Sequence, residues 1–274
     1  MTIHDFANNL EERNGIFFAK NQSQISYPEE GNSQCAQIEE NSFWFAHRNE
    51  CIAALVSKFA KQKPFFDIGG GNGFVAKKIQ SLGNETVLVE PGLVGCLNGQ
   101  KRDIKHLVCS TLEDAGFRPE SIPSAGMFDV VEHIEDDVAF LKNIYHYLEK
   151  NAVVFITVPA YKLLWSHEDV YAGHFRRYTV TGLADKLKKI GFQMLYSGYI
   201  FSMLPLPILL TRSLPSWFTK PKPGIDLNQA QATHANKGFL NDLANKLWNW
   251  ELEQVKNGRE IGIGGSCLVA AKKV

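Results

Sequence analysis

The sequence predicts a doubly wound α/β fold, and three observations carry that prediction. Short runs rich in branched and aromatic residues alternate with amphipathic helical stretches from residue 65 to residue 200. The first run ends in a glycine loop that opens a helix. Hydrophobic residues make up 45% of the 274 residues and charged residues 21%, which is enough for a large core covered on both sheet faces.

Taken in order, residues 1–42 are polar and read as an N-terminal helical arm, irregular apart from one or two short turns. Ile52, Leu55, Val56 and Phe59 fall at helical spacing and predict a helix over 43–61. Phe65, Phe66 and Ile68 form an apolar run that stops at glycines, as a buried strand entering a tight loop does. Val75, Ala76, Ile79 and Leu82 give the next helix, ended by Gly83. Strands then follow at 86–90, 106–109, 125–130 and 152–158, and helices at 93–101 and from Asp136 onward. A helix over 181–190 precedes a strand beginning at Gly191, and GGSCLVAAKKV closes the chain as the seventh strand. Strand–helix alternation at this pitch implies a mostly parallel sheet with right-handed crossovers. The stretch 201–258 interrupts the rhythm: it is rich in proline at first and ends in a helix carrying Leu240, Leu243, Leu247 and Trp250, closed near Gly258. The expected units are therefore an arm (1–42), a core (43–200), an acceptor-side insertion (201–258) and a final core strand (259–274).

Lys+Arg and Asp+Glu both total 29, so no net charge favours nucleic acid as a partner. The five cysteines lack C-x-x-C spacing and predict neither a disulfide frame nor a zinc knuckle, consistent with a reducing, cytoplasmic setting. MTIHDFANNLEERNG is too polar for a signal peptide. FSMLPLPILL is too short and proline-rich for a spanning helix, although 200–220 with Lys220 and Lys222 could rest on a membrane surface or lid the acceptor pocket.

The chemistry begins at Asp67-Ile68-Gly69-Gly70-Gly71-Asn72-Gly73. A dinucleotide loop wants G-x-G-x-x-G, whereas a count from Gly69 meets Phe74 at the third place. Asp67 would repel a pyrophosphate and suit a ligand carrying ammonium and sulfonium charges. S-adenosylmethionine (SAM) has both. Glu90 ends the next strand, where a carboxylate can accept from ribose hydroxyls; nicotinamide enzymes use the same device.

These pieces (FFDIGGGNG, VLVEPG, CSTLED, MFDVVEHIEDD, ITVPA) resemble the class I SAM-dependent methyltransferase family over about residues 43–200. SFWFAHRN and LWSHEDVYAGHFRRYT are similar to its type 11/12 bacterial subgroup. The resemblance implies a Rossmann-like seven-stranded sheet with an antiparallel last strand, SAM as cofactor and methyl transfer as the activity. It implies cofactor contacts from Asp67, Gly69, Gly70, Gly71, Asn72, Gly73, Glu90 and Pro91. Ser110, Thr111 and Leu112 would lie near the adenine. Met127, Phe128 and Asp129 would lie near the sulfonium, with His133 beside them. The acceptor is left open: a small molecule, a glycan or a lipid-linked compound.

Methyl transfer needs alignment and, for a hydroxyl acceptor, a base. His174 is the first candidate base and Asp169 its orienter; His133 reads equally as a cofactor contact, a base or a structural histidine. His167, Arg176, Arg177 and Tyr178 follow the fifth strand and are candidate acceptor contacts, the arginines as a clamp for carboxylate or phosphate. An internally paired loop is the alternative. Asp129-x-x-Glu132-His133 resembles the E-x-x-E-H pattern that binds a divalent metal in some methyltransferases. With Asp shortening one arm, no metal is expected, and these three residues are the ones that would hold it. Phe43, Trp44 and Phe45 either cover the cofactor or pin their helix in the core, and Trp248 and Trp250 read as packing residues. The competing functions are a nicotinamide-dependent oxidoreductase, which Phe74 disfavours, and a SAM-binding protein without catalysis.

Overall fold

A computed structural model of the chain describes residues 2–21, 39, 42–219 and 239–274. Among the described residues the sheet has nine strands: β1 (Leu10–Arg13), β2 (Ile16–Ala19), β3 (Phe65–Ile68), β4 (Thr86–Val89), β5 (His106–Cys109), β6 (Ile122–Phe128), β7 (Leu148–Pro159), β8 (Phe192–Ile200) and β9 (Ser266–Lys273). They lie in the order β1-β2-β5-β4-β3-β6-β7-β9-β8. The helices are α1 (Phe43–Phe59), α2 (Phe74–Ser81), α3 (Leu93–Lys101), α4 (Asp137–Tyr147), α5 (His167–Ala172), α6 (Val180–Ile190), α7 (Pro205–Ile208), α8 (Leu214–Phe218) and α9 (Phe239–Asn257), with a π-helical turn, Leu209–Ser213, joining α7 to α8.

The period-2 pleat sorts the core. Phe66, Val87, Ala125, Val154 and Val269 face one side, packed under Leu141 and Ile144 of α4 and Leu183 and Leu187 of α6. Phe65, Phe128, Phe155 and Leu268 face the other, under Cys51, Leu55 and Val56 of α1 and Val75 and Ile79 of α2. Every residue of β3, β4 and β6 is buried, as in a parallel sheet covered on both faces. β9 runs antiparallel to both β7 and β8, as the family resemblance implied.

Two expectations change. The seven-stranded sheet is nine-stranded, because the N-terminal arm holds a hairpin whose second strand pairs with β5 through Phe17↔Val108 and Phe18↔Cys109. Its turn is Asn14-Gly15, both residues at positive φ, a hairpin signal hidden in a polar stretch. The segment after β7 is also not all loop. Ser166 and Asp169 form a capping box that starts the short helix α5. Most of the arm's remainder, together with Lys220 and Lys222, lies outside the described residues.

A buried cluster ties the insertion to the core. His47 of α1 bonds Glu251 of α9 at 2.6 Å, and Glu251 accepts from the amides of Phe201 (2.7 Å) and Ser202 (2.8 Å). Trp44 stacks on Phe201 at 3.8 Å, and Phe43 and His47 both meet Trp248 edge-on, so these aromatics pin helices together. Trp250, by contrast, is half exposed. Among the described residues no helix is long and apolar enough to cross a membrane.

Removing the Glu251 carboxylate strands two buried amides and the His47 ring. Glu251→Ala is expected to cost roughly 3–5 kcal/mol in chemical denaturation at pH 7. Burial raises the Glu251 pKa, but bonds from His47 and the two amides outweigh it and leave the group below its ordinary value. The wild-type advantage is therefore present above the ordinary carboxylate range and shrinks as the pH falls through the lowered folded value.

Candidate functional site

The site forms where the strand order reverses. β3 has β4 on one side and β6 on the other, so their carboxyl ends open onto one crevice. The glycine loop sits there because no other residue fits it. Gly69, Gly71 and Gly73 all take positive φ. A Cβ on Gly73 would stand 2.4 Å from Ile104 and one on Gly70 2.6 Å from an Asp67 oxygen.

Glu90 locks the loop. Its carboxylate accepts from Gly71 N (2.9 Å) and Gly92 N (2.8 Å), joining the ends of β3 and β4. Asn72 donates to Glu39 (2.8 Å) and accepts from Asn98 (2.9 Å), and is itself buried. Asp67 lies beneath the loop and not on an open cleft: it is fully buried and faces the Ala76 amide of α2, yet neither oxygen completes a hydrogen bond. Burial pushes its pKa up to about 7 against the pull of that amide and of Arg48. The expectation of two carboxylates presented at adjacent strand tips is corrected in this respect.

Pro91 stays half-buried at the tip of β4. Past β5, Ser110 is buried with an unpartnered hydroxyl, Thr111 Oγ1 accepts from Asp114 N (3.1 Å), and Leu112 is core. At the end of β6, Met127 turns into the core while Phe128 stacks on Phe65. Asp129, at φ 57°, is held by Thr157 Oγ1 (3.0 Å) and by the buried Arg48 guanidinium. Arg48 and Glu39 escaped the sequence reading; Arg48 stands within SFWFAHRN, where only the aromatic residues drew notice.

The loop after β7 brings Asp169 and His174 together as expected. Asp169 is buried, accepts from His174 Nδ1 (2.9 Å), and takes a fork from Arg177 Nε (2.7 Å) and Nη2 (2.9 Å). Burial works against its charge, but these bonds win and hold its pKa down to about 2. The turn at Gly173 is fixed by Phe175 N donating to Glu132 O (2.8 Å), which sets His174 against His133 with ring centroids 4.7 Å apart. Glu132 is buried with an unpartnered Oε2, and burial, helped by Asp129, raises its pKa. Burial and the neighbouring His174 lower His133 to about 4, with the ring facing the Ala172 carbonyl.

The remaining acceptor candidates are not gathered on one surface. Arg177 is spent on Asp169 and the Ala160 carbonyl. Arg176 pairs with Asp137 at 3.0 Å, and the Tyr178 hydroxyl donates to the same carboxylate at 2.7 Å. His167 turns away to Thr219 (3.1 Å). The internally paired loop, not the arginine clamp, is what these four residues build. Asp129 is likewise taken by Arg48, so the triple Asp129, Glu132, His133 is not the set that converges; His174 stands in the place of Asp129.

A model of the methyltransferase domain matches residues 44–197. The chain is similar to a SAM-dependent methyltransferase, possible histamine N-methyltransferase, from Thermotoga maritima (TM-score 0.54, 18% identity, 90% of this chain and 97% of that one). It is similar to phosphoethanolamine N-methyltransferase 2 of Haemonchus contortus in complex with SAM (0.54, 19%, 94% of this chain and 61% of that one). It is also similar to geranyl diphosphate C-methyltransferase from Streptomyces coelicolor in complex with Mg²⁺, geranyl diphosphate and S-adenosylhomocysteine (0.53, 12%, 92% and 86%). At such identities the likeness is one of fold. No curated protein sequence matched the chain.

The buried acid gives a pH signature. A carboxyl whose folded pKa is raised to about 7 costs stability that grows from the ordinary carboxylate range up to pH 7 and then levels off. Ligand-free Asp67→Asn is expected to gain on the wild type between pH 5 and pH 8 by roughly 2 kcal/mol or more in urea denaturation. A pH-independent difference would mean that the carboxylate is charged throughout.

Proposed function

The chain belongs to the methyltransferase-domain family, and from that premise we propose that it methylates an amphipathic, lipid-linked acceptor that reaches the site over α7 and α8. The protein is a SAM-dependent methyltransferase. When bound, SAM supplies a methyl group already activated by its sulfonium. The protein's task is to hold and align.

The residues present fit this cofactor. Asp67 beneath the loop and Ser110 just past β5 carry buried oxygens without completed hydrogen bonds. Asp67 places negative charge behind the loop amides, which favours an ammonium and a sulfonium over a pyrophosphate. Glu90 keeps the loop close to the ligand, and Pro91 and Thr111 flank the adenosine side, with Leu112 packed in the core beneath them. Phe128 and Asp129 end the strand that meets the methyl group, with Arg48 fixing Asp129. His174, its Nδ1–H committed to Asp169, turns the Nε2 lone pair outward and accepts the proton of the acceptor nucleophile. His133 sits against it as a neutral partner.

One observation carries the acceptor class. Leu206, Leu210, Trp217 and Phe218 are 63%, 54%, 52% and 84% exposed on a segment bound directly to α5. His167 N donates to Ser216 Oγ (3.2 Å), and Arg212 pairs with Glu168. Leu163 and Phe175, the latter next to His174 in the chain, are exposed as well. Several large apolar side chains exposed on one short segment mark an interaction site, here suited to an acyl or isoprenoid tail.

Calorimetry is expected to show SAM and S-adenosylhomocysteine binding and NADH not binding. The SAM affinity of Asp67→Asn is expected to fall at least tenfold, and wild-type affinity to weaken as the pH drops below about 7, where Asp67 takes a proton. In a methyl-transfer screen, product should appear in a lipid extract, and a Trp217→Ser/Phe218→Ser double variant should lose that turnover while keeping its SAM affinity. Methylation of a water-soluble acceptor, unchanged in the double variant, would replace the lipid reading.

A further inference from the structure

Three potential metal ligands converge between the turn after β6 and the turn after α5. Glu132, His133 and His174 each offer one ligand atom, and these atoms lie within 4.8 Å of one another. They come from the 3₁₀ turn after β6 and from the turn after α5, and the Phe175 N to Glu132 O bond (2.8 Å) fastens those two turns together. That bond holds the two turns that carry the ligands side by side.

The independent sign of a missing ligand is Glu132 Oε2. The side chain is 1% exposed, and this oxygen has no hydrogen-bond partner. A buried carboxylate oxygen left unpartnered is costly, and the structures that keep one use it. Asp169 supplies the second feature. By accepting from His174 Nδ1 at 2.9 Å it fixes the tautomer, so the lone pair sits on Nε2, and Arg177 neutralises Asp169 from behind. A carboxylate behind a ligating imidazole is the usual outer support of a metal site. His133 donates from one ring nitrogen to the Ala172 carbonyl, which puts its lone pair on the other.

We infer that Glu132, His133 and His174 bind one divalent transition metal of the zinc class, held on three protein ligands with a position left for a solvent or acceptor oxygen or nitrogen. Two imidazoles and a carboxylate suit Zn²⁺, Co²⁺ or Mn²⁺; Mg²⁺ asks for oxygen ligands. The other buried cluster, His47, Cys51 and Glu251, lacks the sign that points to an ion. Glu251 is saturated by two amides and His47, and the cluster already serves as the clamp between α1 and α9.

A bound ion takes the His174 Nε2 lone pair that the base role uses, so the metal site and that role are alternatives for one atom. The site is tested without SAM, so a negative methyl-acceptor screen does not bear on it. Full-length protein freed of metal by a chelator is titrated with CoCl₂, ZnCl₂, MnCl₂ and MgCl₂. Expected are one equivalent of Co²⁺ with the intense visible bands of a four- or five-coordinate ion, displacement by Zn²⁺, and Mg²⁺ affinity at least 100-fold weaker. Glu132→Gln and His174→Gln should each weaken Co²⁺ binding at least tenfold. In the wild type, substoichiometric Mn²⁺ should broaden the His133 and His174 imidazole resonances ahead of those of the other histidines, a readout that stands even if a variant fails to fold. The inference is overturned if cobalt bands do not develop, if broadening begins at other histidines, if both variants bind like the wild type, or if Mg²⁺ binds best.

Discussion

The glycine loop is held by one carboxylate accepting from two backbone amides. Glu90, at the end of β4, takes Gly71 N and Gly92 N and so welds the tip of the central strand to that of its neighbour. The loop can lie this low only because its residues lack side chains: a Cβ at Gly70 would strike Asp67 and Leu88. The start of α2 just past the loop and the burial of Asp67 beneath it go with that closure. Bonds to a charged acceptor are the stronger kind, and two of them here fix a segment that would otherwise lose much entropy on ordering.

Buried charge is distributed unevenly around the crevice. Asp129, Asp137 and Asp169 are each met by an arginine, and their carboxylates are satisfied. Asp67 and Glu132 are fully buried, more so than Asp129, but keep unpartnered oxygens. A fold selected for stability alone would pair them or replace them with apolar residues. Their location puts that cost behind the glycine loop in one case and beside the two imidazoles in the other. Stability is spent at the two ends of the same crevice.

The insertion after β8 is integrated by different means. Glu251 reaches from α9 to His47 and to the chain as it leaves β8, and Trp44, Phe201 and Trp248 close over that junction. Once anchored, α7 and α8 need bury little: Ile208 and Ser213 face inward while Leu206, Leu210, Trp217 and Phe218 stay outside. The apolar face is thus carried by a firmly attached support.

The sheet was legible in the sequence because each core strand is a short branched or aromatic run ended by glycine or acid, and each helix repeats apolar residues at its own period. β3, β4, β5, α2 and α3 fall within a residue or two of their expected bounds for that reason. The β1–β2 hairpin was missed because its outer strand is Leu10-Glu11-Glu12-Arg13, an edge strand whose polar pattern mimics a loop; only the Asn14-Gly15 turn betrays it. The glycine loop and the acids Asp67 and Glu90 could be named from spacing, as could the pairing of Asp169 with His174. What spacing could not give is direction. Asp67 lies under the loop and not along it, Arg48 crosses from α1 to claim Asp129, and His174 replaces Asp129 beside Glu132 and His133. Those contacts join residues tens of positions apart, and their partners are chosen by how helices pack on the sheet. Local periodicity determines which elements form and which side chains are available; only the packed whole decides which charges meet, since that choice depends on distances no local pattern encodes.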